Sequence, residues 1–386
     1  MKVVVALDSF KGCITSKESS KFVADGVLAV YPDAEVVTIN MADGGEGFLE
    51  PIVNSLKGII RTVQVTGPLG ESVQAKYGFV PESKTAVIEL AEAAGLNLVP
   101  MEARNPLYTT TYGVGEIIVD AIEQGCRKFI VGIGGSATND AGMGMLQALG
   151  YEFLGPGGQS LGLGGHVLNS LVDIRTENVH PELANCEFRV ACDVDNPLFG
   201  PKGAAHAYAV QKGASPDSIK HLDAGLVTFS NVVKRVLKKT ISTAPGAGAA
   251  GGVGYAFLAF LRGKLEPGAN IVKDATKLEE NIKTSDIVIT GEGKIDASTV
   301  RGKAPFEVTK LAKQYNKKVI ALAGIVSDDI AVCNEQGIDA IFCIQRGPID
   351  SYQAMEIDVV TDNLKATVTQ IFKLIKSTDG LDFGKK

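Results

Sequence analysis

Apolar and polar positions follow two rhythms along this chain, and the change of rhythm divides it. Val3-Val4-Val5-Ala6-Leu7 is an unbroken apolar run, the pattern of a strand buried on both faces of a parallel sheet. Residues 16–30 then place Phe22, Val23, Val27 and Val30 on one helical face behind a Ser16 cap. A second strand is predicted over 34–39, and a helix to about residue 56. Beyond it the spacing shortens. Strands over 60–65, 73–80 and 86–90 are joined by the turns Gly67-Pro68-Leu69-Gly70 and Pro81-Glu82-Ser83, which implies antiparallel pairing. A helix over 115–123, strands over 128–131 and 187–191, and a long amphipathic helix over 217–239 follow. From residue 286 strand and helix alternate again: strands over 287–290, 319–323 and 340–344, helices over 305–315, 328–335 and 359–376.

The two ends together read as one α/β domain, Rossmann/flavodoxin-like with a parallel sheet, made of residues 1–58 and 285–386; residues 59–284 read as a second, mixed α/β domain inserted into it. In the strand order 2-1-3-4-5, strands 1 and 3 are neighbours where the order reverses, and ligands bind beyond their carboxyl ends. Those strands end here in Asp8-Ser9-Phe10-Lys11 and Gly291-Glu292-Gly293. The insertion leaves from the same region, so the expected site is a cleft between the two domains.

Composition narrows the function. At 386 residues, 45% hydrophobic and 21% charged, the chain has core enough for two or three domains. A net charge of −6 offers no basic face for nucleic acid, and the absence of Trp argues against stacking platforms for bases or sugars. The six cysteines form no C-x-x-C pair, so free thiols in a reducing compartment are expected. His166, His180, His206 and His221 show no spacing that suggests a metal site or a Ser-His relay. No signal or transit peptide is expected, and the longest apolar stretch, 247–261, is short for a membrane span; a cytoplasmic location without membrane partners follows as an expectation.

The most suggestive segment is Gly132-Ile133-Gly134-Gly135-Ser136-Ala137-Thr138-Asn139-Asp140, between the strand over 128–131 and a predicted helix over 141–150. Small residues let backbone amides approach a ligand, and a glycine turn feeding a helix is a common anion site. Asp140 or Asn139 serves as cap. The alternative, a tight turn capped by Asp140 with no ligand, stays open on this segment alone. Gly246-Ala247-Gly248-Ala249-Ala250-Gly251 matches a dinucleotide fingerprint by letters, but 241–245 is a poor strand and no acid-ended strand follows at the right distance. It reads better as a glycine-padded helix start. No ordinary P-loop occurs. Asp8, Asp43, Glu46, Asp140, Asp193, Asp195, Glu292 and Asp296 all fall at strand ends or in glycine-rich turns, beside Lys11, Lys294 and Lys303. Each acid alone also reads as a turn residue or cap. Together, carboxylates for magnesium and lysines for phosphate are what phosphoryl transfer needs.

These residues resemble a known family, bacterial glycerate kinase of the non-P-loop type. The resemblance is carried by Asp8-Ser9-Phe10-Lys11-Gly12, Met41-Ala42-Asp43-Gly44-Gly45-Glu46-Gly47, Gly134-Gly135-Ser136-Ala137-Thr138-Asn139-Asp140 and Cys192-Asp193-Val194-Asp195-Asn196-Pro197-Leu198. Gln211-Lys212-Gly213-Ala214, Pro245-Gly246-Ala247-Gly248-Ala249-Ala250-Gly251-Gly252, Thr290-Gly291-Glu292-Gly293-Lys294-Ile295-Asp296 and Gly302-Lys303 continue it in the family's order. One departure is Ser298, where the family commonly has Gln.

The resemblance implies ATP-dependent phosphorylation of D-glycerate, usually at the 2-hydroxyl, with ATP and Mg²⁺ bound by a two-domain α/β enzyme. The following roles are expectations on that basis. Lys11 neutralises phosphate oxygens, with Asp8 and Ser9 beside it. Gly134, Gly135, Ser136, Thr138, Asn139 and the start of the next helix cradle phosphate or the glycerate carboxylate. Asp193 is the first choice of base to orient the substrate hydroxyl, Asp296 the second. Asp43, Glu46 and Glu292 hold Mg²⁺ directly or through water, and Lys303 contacts phosphate or carboxylate. A kinase for another small hydroxy or sugar acid, and a non-catalytic small-acid-binding protein, remain the alternatives.

Overall fold

The structure, a computed structural model, describes residues 1–10, 12–41, 47–350 and 352–378. Its strands, in chain order, are β1 (Lys2–Leu7), β2 (Glu35–Thr38), β3 (Ile59–Thr66), β4 (Ser72–Val80), β5 (Thr85–Glu89), β6 (Lys128–Gly132), β7 (Glu152–Leu154), β8 (Asp173–Arg175), β9 (Glu187–Ala191), β10 (Lys264–Glu266), β11 (Ile287–Ile295), β12 (Lys318–Val326) and β13 (Ala340–Cys343). They fall into two compact units, Met1–Asp43 with Val272–Lys386, and Gly44–Ile271.

The first unit is a parallel sheet in the order β13-β12-β11-β1-β2, the flavodoxin-like arrangement expected from the pattern. β1 and β11 are the neighbours at the reversal, with Leu7 opposite Gly291. The apolar run of β1 is wholly buried because helices cover both faces. On one face the helices Ser16–Leu28 and Ile357–Thr378 pack through Val23, Val27, Leu364 and Val368. Gly26 permits their close approach: a Cβ there would lie 2.9 Å from the Lys365 carbonyl oxygen. Thr15, one residue before the expected cap, forms a capping box with Glu18. The Ser16 hydroxyl instead donates to Leu7 O, tying the helix start to the end of β1.

β11 departs from expectation. Rather than ending in a turn at Gly291-Glu292-Gly293, it runs on to Ile295, with Glu292 paired to Ala323 of β12. Gly291 serves proximity, not bending: a Cβ there would lie 2.2 Å from Leu322 O.

The second unit holds a mixed sheet in the order β10-β9-β6-β5-β4-β3 and a small β7–β8 hairpin that the sequence pattern did not reveal. β3, β4 and β5 pair antiparallel, whereas β5, β6, β9 and β10 run parallel. The helix Leu49–Ser55, grouped by pattern with the first domain, packs on β4 and β5 in this unit. The missing side chain of Gly78 makes room for Val53, and the Glu89 carboxylate accepts from Leu49 N at 2.6 Å. In the other direction, the helix Leu278–Thr284 packs on the helix Ala304–Gln314 and β1 of the first unit. The parallel strands end in register, Glu89 beside Gly132 beside Ala191 beside Glu266. Their following loops therefore gather at one edge of the sheet. Among the described residues no helix is long and apolar enough to cross a membrane.

Candidate active site

In the second unit the loop after β6 is fastened on every side. An antiparallel bridge joins it to the loop after β5, with Ala137 N donating to Ala94 O and Leu96 N to Gly135 O, each at 2.8 Å. Thr109 Oγ1 donates to Ala137 O at 2.9 Å. The fully buried Asp140 accepts from Thr111 N (2.9 Å), Thr111 Oγ1 (2.8 Å), Gly142 N (3.0 Å) and Gly144 N (3.3 Å). Burial pushes its carboxyl above the usual range, and these donors oppose that shift.

This arrangement revises one expectation. The helix after the loop spans only Met143–Ala148, behind a left-handed Gly142. Gly142 N and Gly144 N are taken by Asp140, Met143 N by Asp140 O, and Met145 N by Thr111 Oγ1. The amides at the helix start thus already have acceptors within the protein. Within the loop, Gly135 is exposed and Gly134 half-buried, whereas Ser136 is 8% exposed and Thr138 and Asn139 are fully buried. The accessible part of the proposed cradle reduces to Gly134 and Gly135. Thr138 Oγ1 and both amide atoms of Asn139 are buried without a hydrogen-bonding partner among the described residues.

Lys212, quoted above only as part of a motif, is central to this loop. Its buried ammonium donates to Ser136 Oγ and Thr138 O, both at 2.8 Å. Burial pushes its pKa down to about 7, and Asp140 pulls it the other way. The only local signal in the sequence is the turn that follows, where Gly213 takes a φ of 92°.

The second glycine segment proves to be a buttress for the first. Ala141 N donates to Gly251 O at 3.0 Å, and a Cβ on Gly251 would lie 2.1 Å from Thr138 O. Ala141 and Ala250 both hold left-handed conformations, at φ of 57° and 51°. Such conformations cost a residue with a Cβ about 1–2 kcal/mol, and the close packing of the two turns holds them there. The buttress also meets the loop after β9, since Gly248 N donates to Asn196 O at 2.9 Å. That loop presents Asp193 and Asp195 to solvent, and Asp193 Oδ1 accepts from Gly268 N at 3.2 Å.

The first unit gathers the other expected residues at the carboxyl ends of β1 and β11. Asp8 is 6% exposed; its amide donates to Gly291 O and its carboxylate accepts from Ser9 N at 2.7 Å. Glu292 accepts from Thr299 Oγ1 at 2.7 Å and meets Lys303 Nζ at 3.3 Å. Burial raises its carboxyl pKa against the pull of both partners. Asp296 accepts from the Ser298 hydroxyl and amide and pairs with Lys294 at 3.2 Å; Ser298 first, then Lys294, hold its carboxyl down at about 2. The residue that departs from the family pattern is thus a direct partner of Asp296. Lys11, Asp43 and Glu46 lie outside the described residues. Among those described, no group of three or more His, Cys, Asp or Glu side chains is placed to hold a metal ion.

Comparison with known proteins fits this picture. The Glycerate kinase family profile matches residues 3–376. A glycerate kinase from Halalkalibacterium halodurans is 48% identical over 354 residues, covering 92% of this chain and 93% of that protein. The glycerate 2-kinase of Escherichia coli is 46% identical over 344 residues, covering 89% of this chain and 90% of its own length. A crystal structure from Salmonella typhimurium LT2, described as glycerate kinase 2, superposes with a TM-score of 0.87 at 39% identity, covering 99% of this chain and 100% of that one. On sequence and on fold alike, the chain belongs to the glycerate kinase family.

Proposed function

We propose that this enzyme transfers the γ-phosphoryl group of ATP to the 2-hydroxyl of D-glycerate, giving 2-phosphoglycerate, and that it works in the cytoplasm. The observation that carries the reading is the match to glycerate kinases over nearly the whole chain, including 46% identity to a glycerate 2-kinase. Phosphoryl transfer passes through a loose transition state, so positioning and charge neutralisation matter more than proton abstraction.

The geometry supports a division of labour. The accessible Gly134-Gly135 backbone is suited to a carboxylate or phosphate, and Lys212 ties down the residues that follow it through Ser136 Oγ and Thr138 O. Asp193, exposed at the end of β9, is the proposed base that orients the hydroxyl. Asp296 is less suited, because a carboxyl held near 2 is a weak base at neutral pH. Lys303, with Asp8, Ser9 and Lys11 near the end of β1, is proposed to meet phosphoryl oxygens. Magnesium arriving with the nucleotide would supply positive charge that offsets the charge of the phosphates. It commonly takes one or two protein carboxylates and keeps several waters; Asp43 and Glu46 are proposed for it. Glu292 fits that role poorly, since the Lys303 cation already pairs with its carboxylate and would repel a metal ion there.

The test is purified protein with ATP, Mg²⁺ and a panel of small hydroxy and sugar acids. ADP release is followed by a coupled assay, and the product is identified by phosphorus NMR. D-Glycerate is expected to be the best acceptor and the 2-phosphate the product. A preference for another acid, or a 3-phosphate product, would displace this reading.

A further inference from the structure

Glu292 and Lys303 form a built pair whose purpose the family match does not supply. Glu292 is 9% exposed and fixed in the interior of β11 by its pairing with Ala323 of β12. One carboxylate oxygen accepts from the fully buried Thr299 hydroxyl, and the other meets the Lys303 ammonium. The Lys303 side chain is 40% exposed, so its ammonium is anchored on one side and open to solvent on the other. Lys303 is also the residue before the helix Ala304–Gln314, whose positive N-terminal end adds to the local field. A divalent cation on Glu292 would share the carboxylate with Thr299 and be repelled by the lysine cation beside it.

We propose that Glu292 is a positioning residue that aims the Lys303 ammonium at an anionic group of the substrates, a phosphoryl oxygen of the nucleotide, and is not a magnesium ligand. This rests on the kinase reading above. An unanchored lysine spreads over many rotamers, whereas a partner already in place means less ordering when the anion binds. Thr299 fixes the carboxylate, which fixes the lysine, and the chain of contacts ends at the solvent-exposed side of Lys303.

The experiment is a double-mutant cycle with E292Q, K303M and the pair, plus E292D, which keeps the charge. It is read as kcat and KM for ATP, as the Mg²⁺ concentration for half-maximal rate, and as ATP affinity by calorimetry with saturating Mg²⁺. Calorimetry needs no acceptor acid, so failure of the D-glycerate reading leaves this arm intact. E292Q is expected to weaken ATP binding about tenfold on the wild-type background and less than twofold on the K303M background. E292D is expected to recover most of the loss, with the Mg²⁺ requirement unchanged within twofold. A tenfold rise in Mg²⁺ requirement with E292Q would make Glu292 a metal ligand and overturn the proposal. An equal cost on both backgrounds, or no cost on the wild type, would overturn it as well.

Discussion

Lys212 provides a test of how the loop after β6 is held. Its ammonium is buried and hydrogen-bonded to a hydroxyl and a carbonyl, and among the described residues no carboxylate pairs with it. Burial takes its pKa from 10.5 to about 7 in the folded protein. Between those values the unfolded chain binds more protons than the folded one, so this residue makes stability rise with pH. Its penalty is fully present below pH 7 and is relieved as pH climbs toward 10.5. Integrating from pH 7 to pH 9 gives a gain of about 2 kcal/mol from this one group. The perturbation is Lys212→Met, which keeps length and removes titration. Urea unfolding of wild type and variant at pH 7 and pH 9, followed by circular dichroism, cancels all other titrating groups in the difference. Wild-type stability minus variant stability is expected to increase by about 2 kcal/mol over that interval. Parallel pH profiles would refute the reasoning and mean that Lys212 titrates as if it were in water.

Three further changes probe the same region. Asp140→Asn replaces an acceptor of several hydrogen bonds with a donor on one side, and urea unfolding should show a loss of about 3 kcal/mol; a loss under 1 kcal/mol would remove Asp140 from its structural role. Gly251→Ala drives a methyl into Thr138 O at a φ of 68°, so a destabilisation above about 2 kcal/mol and a fall in turnover are expected together. Asp193→Asn should lower turnover by about 10²-fold or more with folding intact, whereas a loss under tenfold would move the base assignment to Asp296.

The sequence was legible where burial follows local pattern. The apolar run of β1, the alternating strands from residue 286 and the hairpin turns around Gly67 and Pro81 identified the sheets, and the motif order identified the family. It was less legible where distance in the chain hides a contact. Nothing near Lys212 announces that Ser136 and Thr138, more than seventy residues earlier, will receive its hydrogen bonds. Glycine was misread at Gly291, where closeness of a neighbouring strand, not a turn, requires it. Thr138 and Asn139 carry groups that look suited to a ligand, yet the buttress around Gly251 packs against their backbone and both are buried. Their chemistry was visible and their accessibility was not.

The pairing of β1 with β11 also bears on how the protein is made. The Thr290 hydroxyl reaches Ala6 O across 284 residues of sequence. At ~5–20 residues per second on the ribosome, roughly 15–60 s separate synthesis of these two strands. Throughout that interval the nascent amino-terminal strand lacks the neighbour that will cover one of its edges, while the intervening segment has time to fold by itself. The emerging chain thus carries an unpaired strand edge for the whole of that interval, an open template for pairing with other chains.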